Sequence, residues 1–504
     1  MRLITHFFLL LSAVLLPVLG RNSFPAPAQM AGFPPSNPVP AEQPVVSRVQ
    51  SASGPAVIYL PIIRAIGWPT VHVPHFDSSD VFKDHFGEMA IFWFGRVAWN
   101  DTYTDVRVGY NDTTLFIRTE TFDRQLWIDT TDSIDNMAKW DSVSLVLDTS
   151  NKPGTSLSPS SYRFMAELGP ETPDNYPLKA AYQGSGQSWI RKDIPFSASS
   201  LWRGAGYNSS TLEARGWTMD FQIPFASLGI SGPPPSGTAW RLGATVYNRD
   251  DAAGTPLPVQ SWPDTFADTH PTTWGALNFG LVSYTAPPVP QTGTVMIRNK
   301  LNGAVVVDGA VGGTIDPDGQ GRHLCPRDSN FIWNQWGNYN FAGAATFNIQ
   351  NQADVADWPC FAKYYIDIPL DQIPPGKIIL SAKLRLYLFG GSDPTKAYHS
   401  LIQVMTVNQD WNEGSLTWNN APLAFENVSQ AWVNPALVDP GVPGNLYVWD
   451  LSWAVAQAYA AGKQMLRLAM YDADGAMDSG KYFYSCDDSY ADARPTLAVD
   501  WGNR

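Results

Sequence analysis

The sequence is poor in charged residues, and glutamate is the scarcest of them. Only 16% of the 504 residues are charged, compared with roughly 25% in an average soluble domain. Eight of the 46 acidic residues are glutamate and the other 38 are aspartate. Glutamate favours helices, whereas aspartate favours turns and caps, so the composition excludes a helical bundle. With 40 glycines and 41 prolines as further turn residues, it predicts an all-β chain with many turns.

Positive charge is also scarce. The 33 basic residues against 46 acidic ones give a net charge of -13, which excludes a basic nucleic-acid-binding protein and would repel a polyanionic ligand. Aromatic residues are abundant by contrast, at 13% of the chain with 20 tryptophans. A disordered protein would lack that aromatic mass, so a large folded chain remains.

Long apolar runs are missing after the first 20 residues. Met1 and Arg2 precede an apolar run from Phe7 to Leu19, which is the pattern of a secretory signal peptide. The alternative is a membrane anchor, but an anchor needs about 20 apolar residues and Pro17 interrupts this run. We therefore expect a signal peptide over residues 1–20 and a secreted, extracellular protein of bacterial style, with no membrane span. Association with the cell surface is a further possibility that the sequence leaves open.

Cysteine is limited to three residues, Cys325, Cys360 and Cys486. In an oxidising compartment Cys325 and Cys360 could pair and leave one odd thiol; unpaired thiols are the alternative. Their spacing matches no zinc pattern.

Two proline-rich stretches divide the chain. Residues 21–56 are rich in Pro, Ala and Ser and read as an extended tether. A second break at residues 286–293 separates a body at 57–285 from one at 294–504, each large enough for its own core. We predict two tandem jelly-roll-like β-sandwich domains joined by this Pro-rich linker.

Alternation of apolar and polar residues predicts strands in both bodies. These strands are expected at residues 105–110, 115–119, 142–147, 162–168, 217–223, 240–247, 364–368, 382–389, 400–407, 466–470 and 496–499. The first two, joined by Asn111 and Asp112, read as a hairpin. One helix is predicted at residues 453–461, with Ser452 as its cap and Gly462 at its end.

The motifs of the first body resemble, in their order, a family 9 carbohydrate-binding module. They are VRVGYNDTTLFI (106–117), KWDSVSLVLD (139–148), SYRFMAEL (161–168), GWTMDFQIPFASL (216–228), GTAWRLGATVY (237–247) and SWPDTFADTHPTTWGALNFG (261–280). The resemblance implies a jelly-roll-like sandwich that holds a sugar between two tryptophans. It assigns those roles to Trp140 and Trp274 and a hydroxyl-gripping role to Arg163. Indole faces pack on pyranose C–H faces, and an arginine fork donates to two hydroxyls.

The first body also departs from the family. The family's usual glutamate in the DSVE strand is Ser144 here, and the N-terminal DGxxDExW signature is absent. The resemblance therefore does not fix the identity of the ligand, nor a calcium site tied to that signature. Further stacking platforms are offered by Trp127, Trp189, Trp202 and Trp262. For every tryptophan, burial in a sandwich core is the alternative to ligand contact.

The second body resembles a DNRLRE domain, the group that includes family 96 carbohydrate-binding modules. The resemblance is carried by AKYYIDI (362–368), IPPGKIILSAKLRLYL (373–388), VNQDWNEGSLTWNNAP (407–422), VWDLSWAVAQAYAAG (448–462) and YFYSCDDSYADARPTLAV (482–499). It implies a second jelly roll of the kind found in secreted polysaccharide-handling proteins. Asp410 and Glu413 are expected to tie down loop backbone.

No catalytic residues are assigned. The chain has no recognised catalytic fingerprint, although a glycosidase-like carboxylate pair would make it an O-glycosyl hydrolase. Aspartate-rich turns at 316–318, 472–474 and 487–488 are candidates for structural Ca²⁺, with solvated turns as the alternative. The sequence thus favours a non-catalytic protein that binds a neutral polysaccharide or oligosaccharide. A polysaccharide-degrading enzyme and a cell-surface structural or adhesive protein are the alternatives.

Overall fold

The structure, a computed structural model, describes residues 67–503 except 132, 151, 170–177, 256, 314–327, 353–354, 356–359, 393–397, 437–439 and 475–478. The predicted signal peptide and tether lie outside this range, as do Cys325 and the aspartates at 316 and 318.

The described residues form 24 strands, three short α-helices and several 3₁₀ turns. The strands are β1 (Thr70–Val73), β2 (Ala90–Ala98), β3 (Asp101–Tyr110), β4 (Thr114–Phe122), β5 (Ser142–Asp148), β6 (Ser161–Glu167), β7 (Lys179–Ser185), β8 (Ser188–Lys192), β9 (Ser197–Gly204), β10 (Ala214–Pro224), β11 (Ala239–Tyr247), β12 (Gln260–Trp262), β13 (Gly275–Phe279), β14 (Gln291–Arg298), β15 (Val307–Gly312), β16 (Thr346–Ile349), β17 (Ala362–Pro369), β18 (Lys377–Gly391), β19 (Ser400–Val407), β20 (Ala424–Val433), β21 (Asn445–Asp450), β22 (Met465–Asp472), β23 (Lys481–Tyr484) and β24 (Thr496–Asn503). The helices are α1 (Val81–Asp84), α2 (Ser329–Asn334) and α3 (Ser452–Ala460), and the 3₁₀ turns are Phe86–Glu88, Ile134–Lys139, Phe225–Leu228, Pro271–Thr273, Leu301–Gly303, Trp336–Asn338, Glu413–Ser415 and Ala491–Ala493.

Ten of the eleven predicted strands lie within observed ones, and the eleventh runs one residue past the end of β6, to Leu168. The all-β prediction is confirmed. The expected hairpin is the antiparallel pair β3–β4, in register from Tyr110 opposite Leu115. Gly462 ends α3 as predicted, at φ +69°, where glycine adopts the left-handed conformation at least cost. Ser452 does not cap α3, because its hydroxyl donates to Asp450 and accepts from the Ala382 amide.

Each half of the chain is a β-sandwich. In the N-terminal half the sheet β2-β3-β4-β10-β9 packs on the strands β13-β11-β5-β6-β7-β8 through one apolar core, in which Phe164 contacts Phe196 and Tyr110 contacts Phe279. In the C-terminal half the strands β15-β17-β22-β19-β20 pack on the sheet β14-β24-β18-β23-β16, and Tyr364 stacks on Phe347 at 3.5 Å. Strand β1 pairs with β13 and, at Thr70, with β20, so it joins strands of the two halves into one sheet.

The two halves share an extensive buried interface. Strand β3 is buried along almost its whole length: Val106 and Val108 belong to the core of the first sandwich, whereas Tyr103, Asp105 and Arg107 face the second half. Alternate residues of a strand point to opposite sides, so the polar face of β3 is turned toward the second half of the chain and not toward solvent.

Charged groups lie inside this interface with close partners. Asp105 accepts hydrogen bonds from Tyr103, from Tyr471 at 2.9 Å and from Asn351 at 3.2 Å. Lys363 lies 3.8 Å from the ring centroid of Trp418 and is within 5 Å of three further aromatic rings. Burial lowers its pKa well below the usual range, and the Asp105 carboxylate opposes that shift. Such ring faces attract a cation.

Arg107 extends the network across the interface. Its guanidinium donates to the carbonyls of Ala473 and Gln352 and lies 2.6 Å from the Glu120 carboxylate. Burial raises the pKa of Glu120 to about 7, although the neighbouring arginines oppose the shift. A fully buried ion pair of this kind is costly to break, because removal of one partner leaves an uncompensated charge.

Three amide side chains of the C-terminal half bond to backbone of the N-terminal half. Asn427 accepts from the His72 amide at 2.7 Å and donates to the His72 carbonyl at 2.8 Å. Asn419, in the DWNEGSLTWNNAP run, does the same with Val97, and Gln403 bonds to the Ile91 amide and the Met89 carbonyl. Each amide therefore continues the hydrogen-bonding pattern of a strand across the interface.

Cys360 is disulfide-bonded, and Cys486 is a buried free thiol. The predicted pairing involves Cys325, which lies outside the described residues. Residues 281–290 carry no helix or strand, and β14 begins at Gln291, inside the predicted linker 286–293. The predicted domain boundaries stay a prediction. None of the helices in the described part of the chain is long and apolar enough to cross a membrane.

Candidate functional site

Arg163, one of the three residues assigned to sugar binding, lies on the outward face of the first sandwich. On β5, Leu145 and Leu147 point into the core, and on β6 Phe164 does so. Strand alternation therefore turns Arg163 outward, where it lies opposite Val146 on β5 and Tyr182 on β7.

Arg163 lies in a compact group with Trp189 and Asp268. Its guanidinium forms an ion pair with Asp268 and lies over the Trp189 ring at 4.6 Å. The Trp189 indole nitrogen donates to the same carboxylate at 3.1 Å. Trp189 is half-buried, on the edge strand β8. An indole face, a guanidinium and a carboxylate thus lie together at a half-exposed position. This combination of groups is suited to binding a polyol.

Trp274 joins this group but offers no face to solvent. Its side chain is 0% exposed, is stacked with Trp189 at 6.3 Å and 13°, and donates to the Ala267 carbonyl. Phe266 packs on its ring as well. The expectation that Trp274 is an open stacking platform is therefore not met in this structure, because the loop before β13 folds down over the sheet.

A glycine permits this loop to close. A Cβ atom at Gly243 on β11 would lie 2.4 Å from the Phe266 ring, so a side chain at this position would hold the loop away from the sheet. The motif position of Trp274 can be read from the local sequence. Its burial depends on the close approach of Gly243 and Phe266, which lie apart in the chain.

Trp140 lies with different partners. It follows the 3₁₀ turn Ile134–Lys139, is half-buried, and has the Arg249 guanidinium 4.0 Å from its ring centroid. Arg249 is itself held by the carbonyls of Asp251 and Ala252. The structure therefore brings Arg163 and Trp274 together, both in contact with Trp189, and gives Trp140 a separate setting.

The other suggested platforms have packing roles. Trp262 is buried and contacts Phe92 at 4.1 Å, Trp127 is 7% exposed, and Trp202 packs edge-on against Tyr207. Sequence reasoning named Trp189 as one of four alternatives. Its neighbouring Asp268 went unnoticed, because only the tertiary fold brings β8 beside the 263–274 loop.

Three buried carboxylates meet at one end of the first sandwich. Asp123 follows β4, Asp141 precedes β5, and Asp250 follows β11. Burial raises the pKa of all three, to about 6 for Asp250, and each of Asp123 and Asp141 is raised further by a neighbouring carboxylate. Both oxygens of Asp250 and the amide oxygen of Asn248 are buried, and the Asn248 side chain bonds to Asp250. Arg124 lies close enough to Asp123 and Asp250 to oppose these shifts. The oxygen donors of the three aspartates are of the kind that a hard divalent cation such as Ca²⁺ prefers.

The aspartate turns that the sequence suggested for calcium also have partners within the protein. Asp472 and Asp474 lie beside the buried Lys481 ammonium, so a cation is already present. Asp487 lies with Asp308 and Cys486, their ligand atoms within 4.8 Å, but Asp308 already accepts from the Tyr364 hydroxyl and the Cys486 amide. Burial raises the pKa of the Cys486 thiol well above its usual range, so it stays neutral and inert.

Glu413 and Asn420 of the DWNEGSLTWNNAP run bond to loop backbone, as expected, whereas Asp410 forms an ion pair with a side chain. Glu413 accepts from the Gly343 amide at 2.6 Å, and Asp410 pairs with Arg467 at 2.7 Å. Asn420 bonds to the Thr417 amide and the Ser415 carbonyl.

Comparison with known proteins gives one match to a family model. Residues 323–500 match carbohydrate-binding module family 96. This family 96 region covers most of the second sandwich, including strands β16 to β23 and the DWNEGSLTWNNAP run, as the sequence resemblance led us to expect. A search of curated proteins finds no match for the chain.

Solved structures also match the chain, for its N-terminal part. A family 9 carbohydrate-binding module from Caldicellulosiruptor kristjanssonii, solved with cellotriose, is 15% identical with a TM-score of 0.31, and the match covers 44% of this chain and 100% of that one. The same module with glucose gives 15% and 0.30, covering 43% and 100%. A carbohydrate-binding protein from Bacteroides uniformis, described as putative, gives 10% and 0.33, covering 42% and 100%.

Proposed function

We propose that this chain is a secreted, non-catalytic carbohydrate-binding protein that recognises a neutral polysaccharide or oligosaccharide. The observation that carries the proposal is the family 96 match over residues 323–500. The half-exposed group of Trp189, Arg163 and Asp268 supports it, since indole faces provide stacking area and charged side chains provide orientation. The net charge of -13 favours a neutral ligand over an acidic one.

In the proposed site Trp189 is the stacking face, and Arg163 and Asp268 bond to hydroxyls. Trp274 supports Trp189 from below, and Trp140 is a second half-exposed indole on the same sandwich. The family's usual glutamate is replaced by Ser144, which is 3% exposed, so Asp268 is the acceptor that this site offers instead.

The proposal includes a structural Ca²⁺ at Asp123, Asp141 and Asp250. When bound there, the ion would balance the carboxylate charges and fix three loops at one end of the sandwich. It has no part in ligand chemistry in this proposal.

A glycan array of the mature protein, with neutral and acidic polysaccharides, tests the function. We expect binding to one or more neutral glycans and none to polyanions. Release of reducing sugar from the bound glycan would instead support the polysaccharide-degrading enzyme. Failure to bind any glycan would leave the structural or adhesive protein.

A further inference from the structure

A cleft of about 340 Å³ lies between the two halves, away from the Trp189 group. One wall is α1, the 3₁₀ turn after it and Arg118 on β4. The other wall is the start of β19 with Trp432 of β20 and Asp474. Small-ligand pockets typically measure roughly 300–1,000 Å³, so this cleft has room for a small ligand.

Two large aromatic side chains are exposed at this cleft. Trp432 is 44% exposed and Tyr398 is 62% exposed, although most tryptophans named above are buried. The His399 ring packs edge-on against Trp432 at 4.6 Å and 77°, so the indole is held in place by a neighbour. Strand pairing of Trp432 with Leu401 fixes its backbone. An exposed indole held in this way on a sheet is a ready stacking platform.

The wall opposite Trp432 carries charged side chains. The carboxylates of Asp84 and Glu88 lie on it, and Arg118 is held by an ion pair with Asp220. The Arg118 guanidinium also lies over the ring of Phe86 at 4.8 Å. Fixed donors and acceptors thus face the aromatic wall, as a polyol requires.

We propose that this cleft is a second carbohydrate site, which takes a neutral oligosaccharide with a sugar ring on Trp432 and with hydroxyls bonded by the opposite wall. The inference rests on the proposed function. The cleft lining carries both signs of charge, with Lys83 and Arg118 beside Asp84, Glu88 and Asp474. The net charge of -13 on the whole chain disfavours an acidic sugar. Because each half supplies one wall, the site exists only in the joined molecule. This assigns a role to the long buried interface, which sets the width of the cleft.

The test is equilibrium binding of the full chain and its variants to the neutral glycans that the array identifies. Trp432→Ala is expected to weaken binding of at least one glycan about tenfold, and Tyr398→Ala to weaken the same glycan by a smaller factor. Trp432→Phe, which keeps a ring, should restore part of the loss. Tyr490→Ala is the matched control, because Tyr490 is 53% exposed in the same half and does not line the cleft.

The outcomes separate this proposal from the general function. If the wild type binds glycans and both Trp432→Ala and Tyr398→Ala bind them equally well, the cleft proposal is wrong and the function stands. If the wild type binds no glycan, both fail. If a peptide of the proline-rich residues 21–56 binds at Trp432 while glycans do not, the cleft is a peptide site and the proposal is overturned.

Discussion

At the scale of single residues, two neighbouring tryptophans have different roles. Trp189 is half-exposed beside Arg163, whereas Trp274 is fully buried behind it. Trp189→Ala should therefore weaken glycan binding about tenfold with little change in melting temperature. Trp274→Ala should lower the free energy of unfolding by about 3 to 5 kcal/mol, the usual loss for a buried tryptophan. Calorimetric titration and thermal unfolding of both variants measure the two effects, and a Trp274→Ala protein of unchanged stability would contradict the assignment.

The three buried aspartates make a prediction about calcium and pH. Their pKa values are raised in the folded state, so without metal the folded protein binds more protons than the unfolded one between about pH 4 and the raised pKa, about 6 for Asp250. Stability without metal should then fall as the pH rises through this window. Ca²⁺ should raise the melting temperature, and by more at pH 7 than at pH 5.

A matched pair of variants checks this assignment. Asp250→Asn should reduce the gain from Ca²⁺, whereas Asp135→Asn, at a side chain that is 89% exposed, should leave it unchanged. Equal melting temperatures in calcium and in chelator would refute the cation site.

At the scale of elements, bonds from side-chain amides to strand backbone connect the two sandwiches. Asn427→Leu removes both bonds to His72 and leaves a buried amide and carbonyl unpaired, at a cost of about 2 kcal/mol or more. We expect a lower melting temperature than for Gln430→Leu, a control on the same strand. Equal loss in the two variants would mean that Asn427 has no special role in the interface.

Eleven of the 24 strands in the described residues were predicted, because their alternation is local, as in the β3–β4 hairpin and in β19. Strand β2 was not predicted, since both its faces are buried and its sequence does not alternate: Phe92 packs on Trp262 and Trp93 packs on Tyr471. The role of Ser452 was missed because a strand amide, that of Ala382, competes for its hydroxyl.

The candidate sites were harder to predict than the strands. Arg163 was found from its motif, but the choice between Trp189 and Trp274 depends on how the 263–274 loop closes over Gly243. Trp432 and Arg118 face one cleft from opposite halves of the chain, and no local pattern relates them.

At the scale of the whole molecule, the shared interface should make the two sandwiches unfold together. Lys363, Asp105 and Arg107 are buried between them with partners from both halves, and separation would expose these groups and a large apolar surface. Calorimetry of the full chain should show one transition with equal calorimetric and van't Hoff enthalpies. Two resolved transitions, with Tyr471→Ala shifting only one, would contradict this expectation.

The central claim is that aromatic faces on this molecule bind a neutral glycan, and calorimetric titration of one double variant tests it most directly. The wild type and Trp189→Ala/Trp432→Ala should be titrated with the strongest neutral glycan from the array, after thermal unfolding has shown equal stability. The account predicts measurable binding by the wild type and loss of that binding in the double variant. Equal affinity of the two proteins, or no binding by the wild type, would contradict it.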